Sequence, residues 1–155
     1  MTLVLNCISP KYVIQVSDRK LTWLNGPNKA KTASDKANKA VVVCNRLVVS
    51  YTGLAQIGAQ KTDDWILDVV SSVTPYSAEK IFRTLTERAT QSFKQLKLPL
   101  AKQHHAFIVS GWARFDSRDA PLTPFIKIIS NALDFATAKW LDKAQNEFNT
   151  GFRIF

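Results

Sequence analysis

Glycine and proline are scarce, five and six residues in a chain of 155, and usage that low excludes collagen-like and low-complexity architectures. No run of about 18 apolar residues occurs, so no segment reads as a membrane-spanning helix. Cysteine is limited to Cys7 and Cys44, too few for a disulfide framework and without metal-ligand spacing. Both lie inside apolar runs, where a free thiol is expected to belong to the core. Histidine is limited to the adjacent pair His104 and His105. Neighbours on a strand point to opposite faces, so the pair is expected to give one packed and one exposed imidazole, neither a catalytic triad nor a metal site. Met1–Asn6 has no basic segment ahead of an apolar run and does not read as a secretory signal; the expected location is cytoplasmic.

Acidic residues are also few: 12 against 21 Lys and Arg, a formal charge of +9. The surplus is concentrated early. Arg19, Lys20, Lys29, Lys31, Lys36, Lys39 and Arg46 share their stretch with one acid, Asp35. Such charge attracts anions of any kind. Trp23 is the only aromatic residue between Arg19 and Arg46, so the base-stacking platform of a nucleic-acid binder is not expected.

What is present is a hydrophobic fraction of 46%, enough to fill the core of a single domain spanning residues 1–155. Thr2–Ile8 and Tyr12–Val16 flank Ser9-Pro10-Lys11 and predict a hairpin. Residues Leu24–Asp35 are polar around Asn25-Gly26-Pro27-Asn28 and predict an exposed loop. A second hairpin is expected from Ala40–Cys44 and Leu47–Tyr51 around Asn45-Arg46; its continuous apolarity predicts two central strands buried on both faces. Thr62-Asp63-Asp64 can cap a helix carrying Ile66, Val69, Val70 and Val73, stopped by Pro75. Ser77 opens another, with Ile81, Phe82, Leu85, Ala89, Phe93 and Leu96 on one stripe up to Pro99. His105–Ala113 and Phe125–Ser130 predict an antiparallel pair. Trp140, Leu141, Ala144 and Phe148 fall at helical spacing and predict a last helix. The order β-β-β-β-α-α-β-β-α implies an α+β fold of antiparallel sheets layered with helices.

Gly53-Leu54-Ala55-Gln56-Ile57-Gly58-Ala59-Gln60-Lys61-Thr62 is not a phosphate loop, because Lys-Thr falls two residues too late for that pattern. The N-terminus offers different chemistry. Removal of Met1 leaves Thr2 with a hydroxyl and an α-amine on one residue, and an amine of pKa about 8 can take the hydroxyl proton at neutral pH. A neighbouring lysine would disfavour the protonated amine and favour the alkoxide, and a carboxylate would orient that lysine. Thr2, Asp18 and Lys39 supply this set, each at the end of a predicted strand.

The spans Met1–Leu5, Val16-Ser17-Asp18-Arg19-Lys20-Leu21-Thr22, and Asn38-Lys39-Ala40-Val41-Val42-Val43-Cys44 through Tyr51-Thr52-Gly53-Leu54-Ala55 resemble, in order, the opening of proteasome β-type subunits and their bacterial relatives. Those are N-terminal nucleophile hydrolases. Thr2 and Asp18 stand sixteen residues apart and Lys39 and Gly53 fourteen, the family's separations; Lys36 is the weaker lysine candidate. The resemblance covers about the first half of the chain and implies an αββα sandwich. It also implies a threonine-type peptidase or amidohydrolase with a peptide or protein substrate, ring-type homo-oligomers, and neither cofactor nor metal. By the same resemblance Thr2 is the nucleophile, Asp18 and Lys39 tune it, and the Gly53 N–H receives the oxyanion. An inactive subunit acting in assembly is the alternative. The departures are Lys20 in place of an arginine, no aspartate four residues after Gly53, an insertion before Lys39, and only Ser130 as a loose match to the family's later serines and aspartate.

Overall fold

The computed structural model describes residues 4–9, 11–19, 21–22, 32–34, 37–115 and 119–154. Strands β1 (Val4–Ile8) and β2 (Val13–Ser17) form the first hairpin, in the register Val4↔Ser17 to Ile8↔Val13. The Ser9 hydroxyl closes its turn by accepting from the Lys11 and Tyr12 amides at 3.2 and 3.0 Å. Burial alternates along both strands. Val4, Asn6, Ile8, Val13, Gln15 and Ser17 are half-buried, while Leu5, Cys7, Ile14 and Val16 face outward.

Two short strands, β3 (Leu21–Thr22) and β4 (Thr32–Ser34), pair antiparallel, so part of the span expected to be a loop is sheet; the remainder, 24–31 and 35, lies outside the described residues. The second hairpin is β5 (Ala40–Val43) and β6 (Leu47–Thr52). Its turn begins one residue earlier than expected, with Cys44 and Asn45 both left-handed at φ 48° and 53° and the Arg46 amide donating to Val43 O at 3.1 Å. Cys44 is therefore a turn residue, and both thiols are exposed. This corrects their assignment to the core: Cys7 falls on the outward phase of β1 and Cys44 beyond the end of β5.

A small hairpin, β7 (Gln56–Ile57) with β8 (Gln60–Lys61), leads into helix α1 (Thr62–Ser71). Asp63 and Asp64 stand in its first turn, where the helix dipole favours them. Helix α2 (Ala78–Lys94) starts under the Ser77 hydroxyl, which accepts from the Lys80 amide at 3.2 Å. It buries Ile81, Phe82, Leu85, Ala89 and Phe93, the expected stripe except that it ends before Leu96.

Strands β9 (Ala106–Ala113) and β10 (Thr123–Ser130) pair antiparallel as expected. The last third departs from expectation. In place of a helix over 140–148, β11 (Leu133–Asp134) pairs with β12 (Lys139–Trp140), and the chain returns as β13 (Asn149–Ile154) along β10. A helix over 140–148 would need the amides from residue 144 onward for its own ladder and would leave the first four, Leu141 included, to find partners elsewhere. Here the Leu141, Ala144 and Gln145 amides donate to Ala132, Leu100 and Asn131 carbonyls at 2.8, 3.3 and 2.7 Å, and Ala144 and Phe148 reach the core from irregular backbone.

The main sheet has the order β13-β10-β9-β6-β5, antiparallel throughout. Both helices cover one face, with Trp65 stacked on Phe107 at 5.5 Å and Phe82 edge-on to Phe125 at 5.3 Å. The β1–β2 hairpin lies on the opposite face over β6 and β9, joined by Gln15 Nε2 and Ser110 Oγ at 3.2 Å. β6 is buried on both faces as expected, but β5 is an edge strand. The hairpin stops short of it, leaving Val42 65% exposed. The fold is α+β with antiparallel sheets and, among the described residues, two α-helices, neither long and apolar enough to cross a membrane.

Candidate functional site

The candidate residues converge because four chain segments end at one edge of the main sheet. β5 begins just after Lys39 and its partner β6 ends just before Gly53; the Tyr51 amide donates to Lys39 O at 3.1 Å. Thr52 is opposite Ala106, so His105 enters β9 beside Gly53, and Ser130 leaves β10 at the same level. From the other layer, β2 delivers Asp18 directly after Ser17. Its continuation is tied to this edge by the Ala37 amide on Arg19 O at 3.1 Å and by Arg19 Nε on Ala37 O at 3.4 Å.

Asp18 and Lys39, expected together from their residue types at strand ends and from the resemblance, form an ion pair with Nζ and Oδ1 2.7 Å apart. The lysine side chain is 1% exposed and the aspartate 33%. A cation that far inside needs an anionic partner to offset its lost hydration. Thr2 and Lys36 lie outside the described residues.

Gly53 occupies φ +115°, and a Cβ there would run into His104 O and lie 2.8 Å from His105 Nδ1. Only glycine fits that conformation and that approach. The turn after it is held at three points. Leu54 N–H donates to His105 Nδ1 at 3.1 Å, Thr62 Oγ1 donates to Leu54 O at 2.8 Å, and the Thr62 amide donates to Ala55 O at 3.0 Å. The Thr62 hydroxyl is thus committed to this turn, and Lys61, not the Thr62-Asp63-Asp64 run, occupies the N-cap of α1.

His105 is fully buried, and burial pushes its pKa down to about 3, so the ring is neutral at physiological pH. With Nδ1 accepting from Leu54, the proton resides on Nε2, which has no hydrogen-bond partner among the described residues. Around the ring stand Tyr51, stacked at 5.8 Å, and Phe107 and Phe93 at 4.6 and 5.1 Å. An orphaned N–H of this kind costs about 1–3 kcal/mol. Burial, with the nearby Asp63 charge, holds the Tyr51 phenol up at about 12, so it stays a donor; its hydroxyl bonds to Asn38 O at 3.3 Å. His104 is half-buried, with Nε2 2.9 Å from Leu141 O. The Ser130 hydroxyl donates to His105 O at 2.9 Å and accepts from the Ala132 amide at 3.1 Å. Asn131 Oδ1 accepts from the His105 amide at 2.9 Å.

No sequence signal assigns His105 a role beyond packing or singles out Tyr51 or Asn131. His105 sits at the head of an apolar run and reads as packing, which it also is. Neither Tyr51 nor Asn131 carries a local signal. Among the described residues no three His, Cys, Asp or Glu side chains stand close enough to share a metal ion. No protein-family model, no curated protein and no solved structure matches this chain. Its chemistry is therefore read from the site: a buried, carboxylate-paired ammonium and, at the same sheet edge, a glycine turn clamped in a left-handed conformation.

Proposed function

We propose that the chain is a threonine-type peptidase or amidohydrolase of the N-terminal nucleophile kind, built as an αββα sandwich like the proteasome β-type subunits its opening resembles. The observation that carries the reading is the buried Lys39–Asp18 ion pair, the lysine and orienting carboxylate that this chemistry requires beside the amine. The place of β1 supports it further. Val4 pairs with Ser17, the residue before Asp18, so β1 begins opposite the end of the strand that delivers Asp18. Helices, five-stranded sheet and hairpin stacked in that order correspond to three of the sandwich's four layers, and no second helical layer is present among the described residues.

In this mechanism the α-amine of Thr2 takes the hydroxyl proton, directly or through a water, as Oγ attacks the peptide carbonyl. The Lys39 ammonium disfavours protonation of that amine and stabilises the alkoxide. Asp18 holds Lys39 in place. The oxyanion is received by Gly53 N–H, a contribution of about 3–4 kcal/mol for a preorganised donor. The leaving amine departs with the proton, and a water, giving its own proton to the Thr2 amine, hydrolyses the ester. The outward row of Leu5, Tyr12, Ile14 and Val16, each about half exposed, supports assembly into an oligomer.

The test is an intact mass followed by a peptide-hydrolysis assay. A chain lacking Met1 is expected to hydrolyse peptide amides, and Thr2→Ala is expected to abolish turnover while leaving the circular dichroism spectrum unchanged. Hydrolysis by Thr2→Ala would overturn the mechanism. A chain that keeps Met1 has no free amine on Thr2, and the inactive, assembling subunit then becomes the reading.

A further inference from the structure

We propose that His105 is a positioning residue of this site: its Nδ1 holds the Leu54 amide and thereby fixes the backbone around Gly53, the oxyanion donor. This deepens the peptidase reading and rests on it. Gly53 lies between two peptide planes. The preceding one is anchored by β6, where Thr52 pairs with Ala106; the following one ends in the Leu54 N–H bonded to His105 at 3.1 Å. With both planes held, the direction of the Gly53 N–H is set before substrate arrives, and a preorganised donor is what oxyanion stabilisation requires.

The ring does more than fill space, because it leaves one of its own polar groups unsatisfied. A phenylalanine or leucine among Tyr51, Phe93 and Phe107 would pack without a polar atom. The imidazole instead buries an Nε2–H with no partner among the described residues, and what it adds over an apolar side chain is the Nδ1 acceptor aimed at Leu54. The imidazole itself is held on both sides of its backbone. Asn131 Oδ1 accepts from its amide, and Ser130 Oγ donates to its carbonyl. Nothing in this role moves a proton, so His105 acts through Gly53 and not on the substrate.

Two substitutions separate acceptor from volume. His105→Leu keeps bulk and loses the acceptor; His105→Asn loses bulk and keeps an oxygen near the Nδ1 position. The expected result is that His105→Leu lowers kcat by about tenfold or more with KM changed by no more than about twofold, and that His105→Asn recovers most of kcat. In the same proteins, amide exchange followed by NMR is expected to show Leu54 protected in wild type and His105→Asn and rapidly exchanging in His105→Leu. A His105→Leu enzyme with wild-type kcat, or a folded His105→Asn enzyme as impaired as His105→Leu, overturns the proposal. Should His105→Leu fail to fold, His105→Gln replaces it, its oxygen falling nearer the Nε2 position, with the same expectations. A wild-type protein that hydrolyses nothing overturns the peptidase reading alone; Leu54 exchange then decides this one, and equal protection in all variants overturns it.

Discussion

A lysine ammonium almost without solvent contact depends on the group facing it, and Lys39 and Asp18 make the two halves of that pair unequal. Removing the carboxylate takes the facing anion from a buried charge, so Asp18→Ala is expected to cost about 3 kcal/mol, whereas Lys39→Met, which removes the charge and keeps the length, is expected to stay within about 1 kcal/mol of wild type. Urea unfolding midpoints at constant m-value check both. If the proposed mechanism holds, neither variant turns over, so in Lys39→Met activity and stability part company. His105 adds a pH signature. Its folded pKa of about 3 lies below the ordinary 6.5, so the unfolded chain binds a proton that the folded one refuses. Stability from this group is complete above pH 6.5 and is lost as pH falls toward 3. Between pH 7 and pH 5 wild type is expected to lose about 2 kcal/mol more than His105→Asn, read from urea unfolding at each pH. The pairing of Asp18 with Lys39 was legible because both residue types stand at strand ends that the fold brings together. The His105 clamp was not, since a histidine that packs and a histidine that clamps a peptide look alike in sequence.

Elements were legible where the signal is local. Ser77 caps α2 as its place ahead of the apolar stripe requires; Ser77→Ala is expected to lower stability by about 1 kcal/mol and Ser77→Gly by only a few tenths, measurable by thermal unfolding. Two apolar runs around Ser9-Pro10-Lys11 placed the first hairpin, and two more around a short turn placed the second. The chain after Ser130 was misread because its determinants are distant. Trp140, Leu141, Ala144 and Phe148 have helical spacing, yet the amides of 141, 144 and 145 are taken by carbonyls elsewhere in the chain, and Asp134 secures the β11–β12 turn by accepting from the Ala136 amide and Thr137 Oγ1. Edge position was equally invisible. Val41, Val42 and Val43 read as a fully buried strand, but what covers a strand's second face is decided by a hairpin more than twenty residues upstream.

At the scale of the whole molecule the +9 charge is less of a patch than its sequence crowding implies, since Lys39 is buried and paired. Duplex DNA is expected to bind weakly at low salt and to be released by about 0.2 M salt without sequence preference, as counterion release dictates; retention on a DNA column across a salt gradient checks this. The order of strands in the main sheet also sets a timetable. β9 stands between β6 and β10, so the edge of β6 that carries Gly53 has no partner until residues 106–113 are made. During synthesis the β5–β6 hairpin waits, one edge unpaired, through the two helices, and long-range pairing of this sort is slow and open to association with other chains. A ribosome therefore finishes Asp18, Lys39 and Gly53 well before it supplies the strand that locks them into one place, and the nascent chain is most vulnerable in that interval.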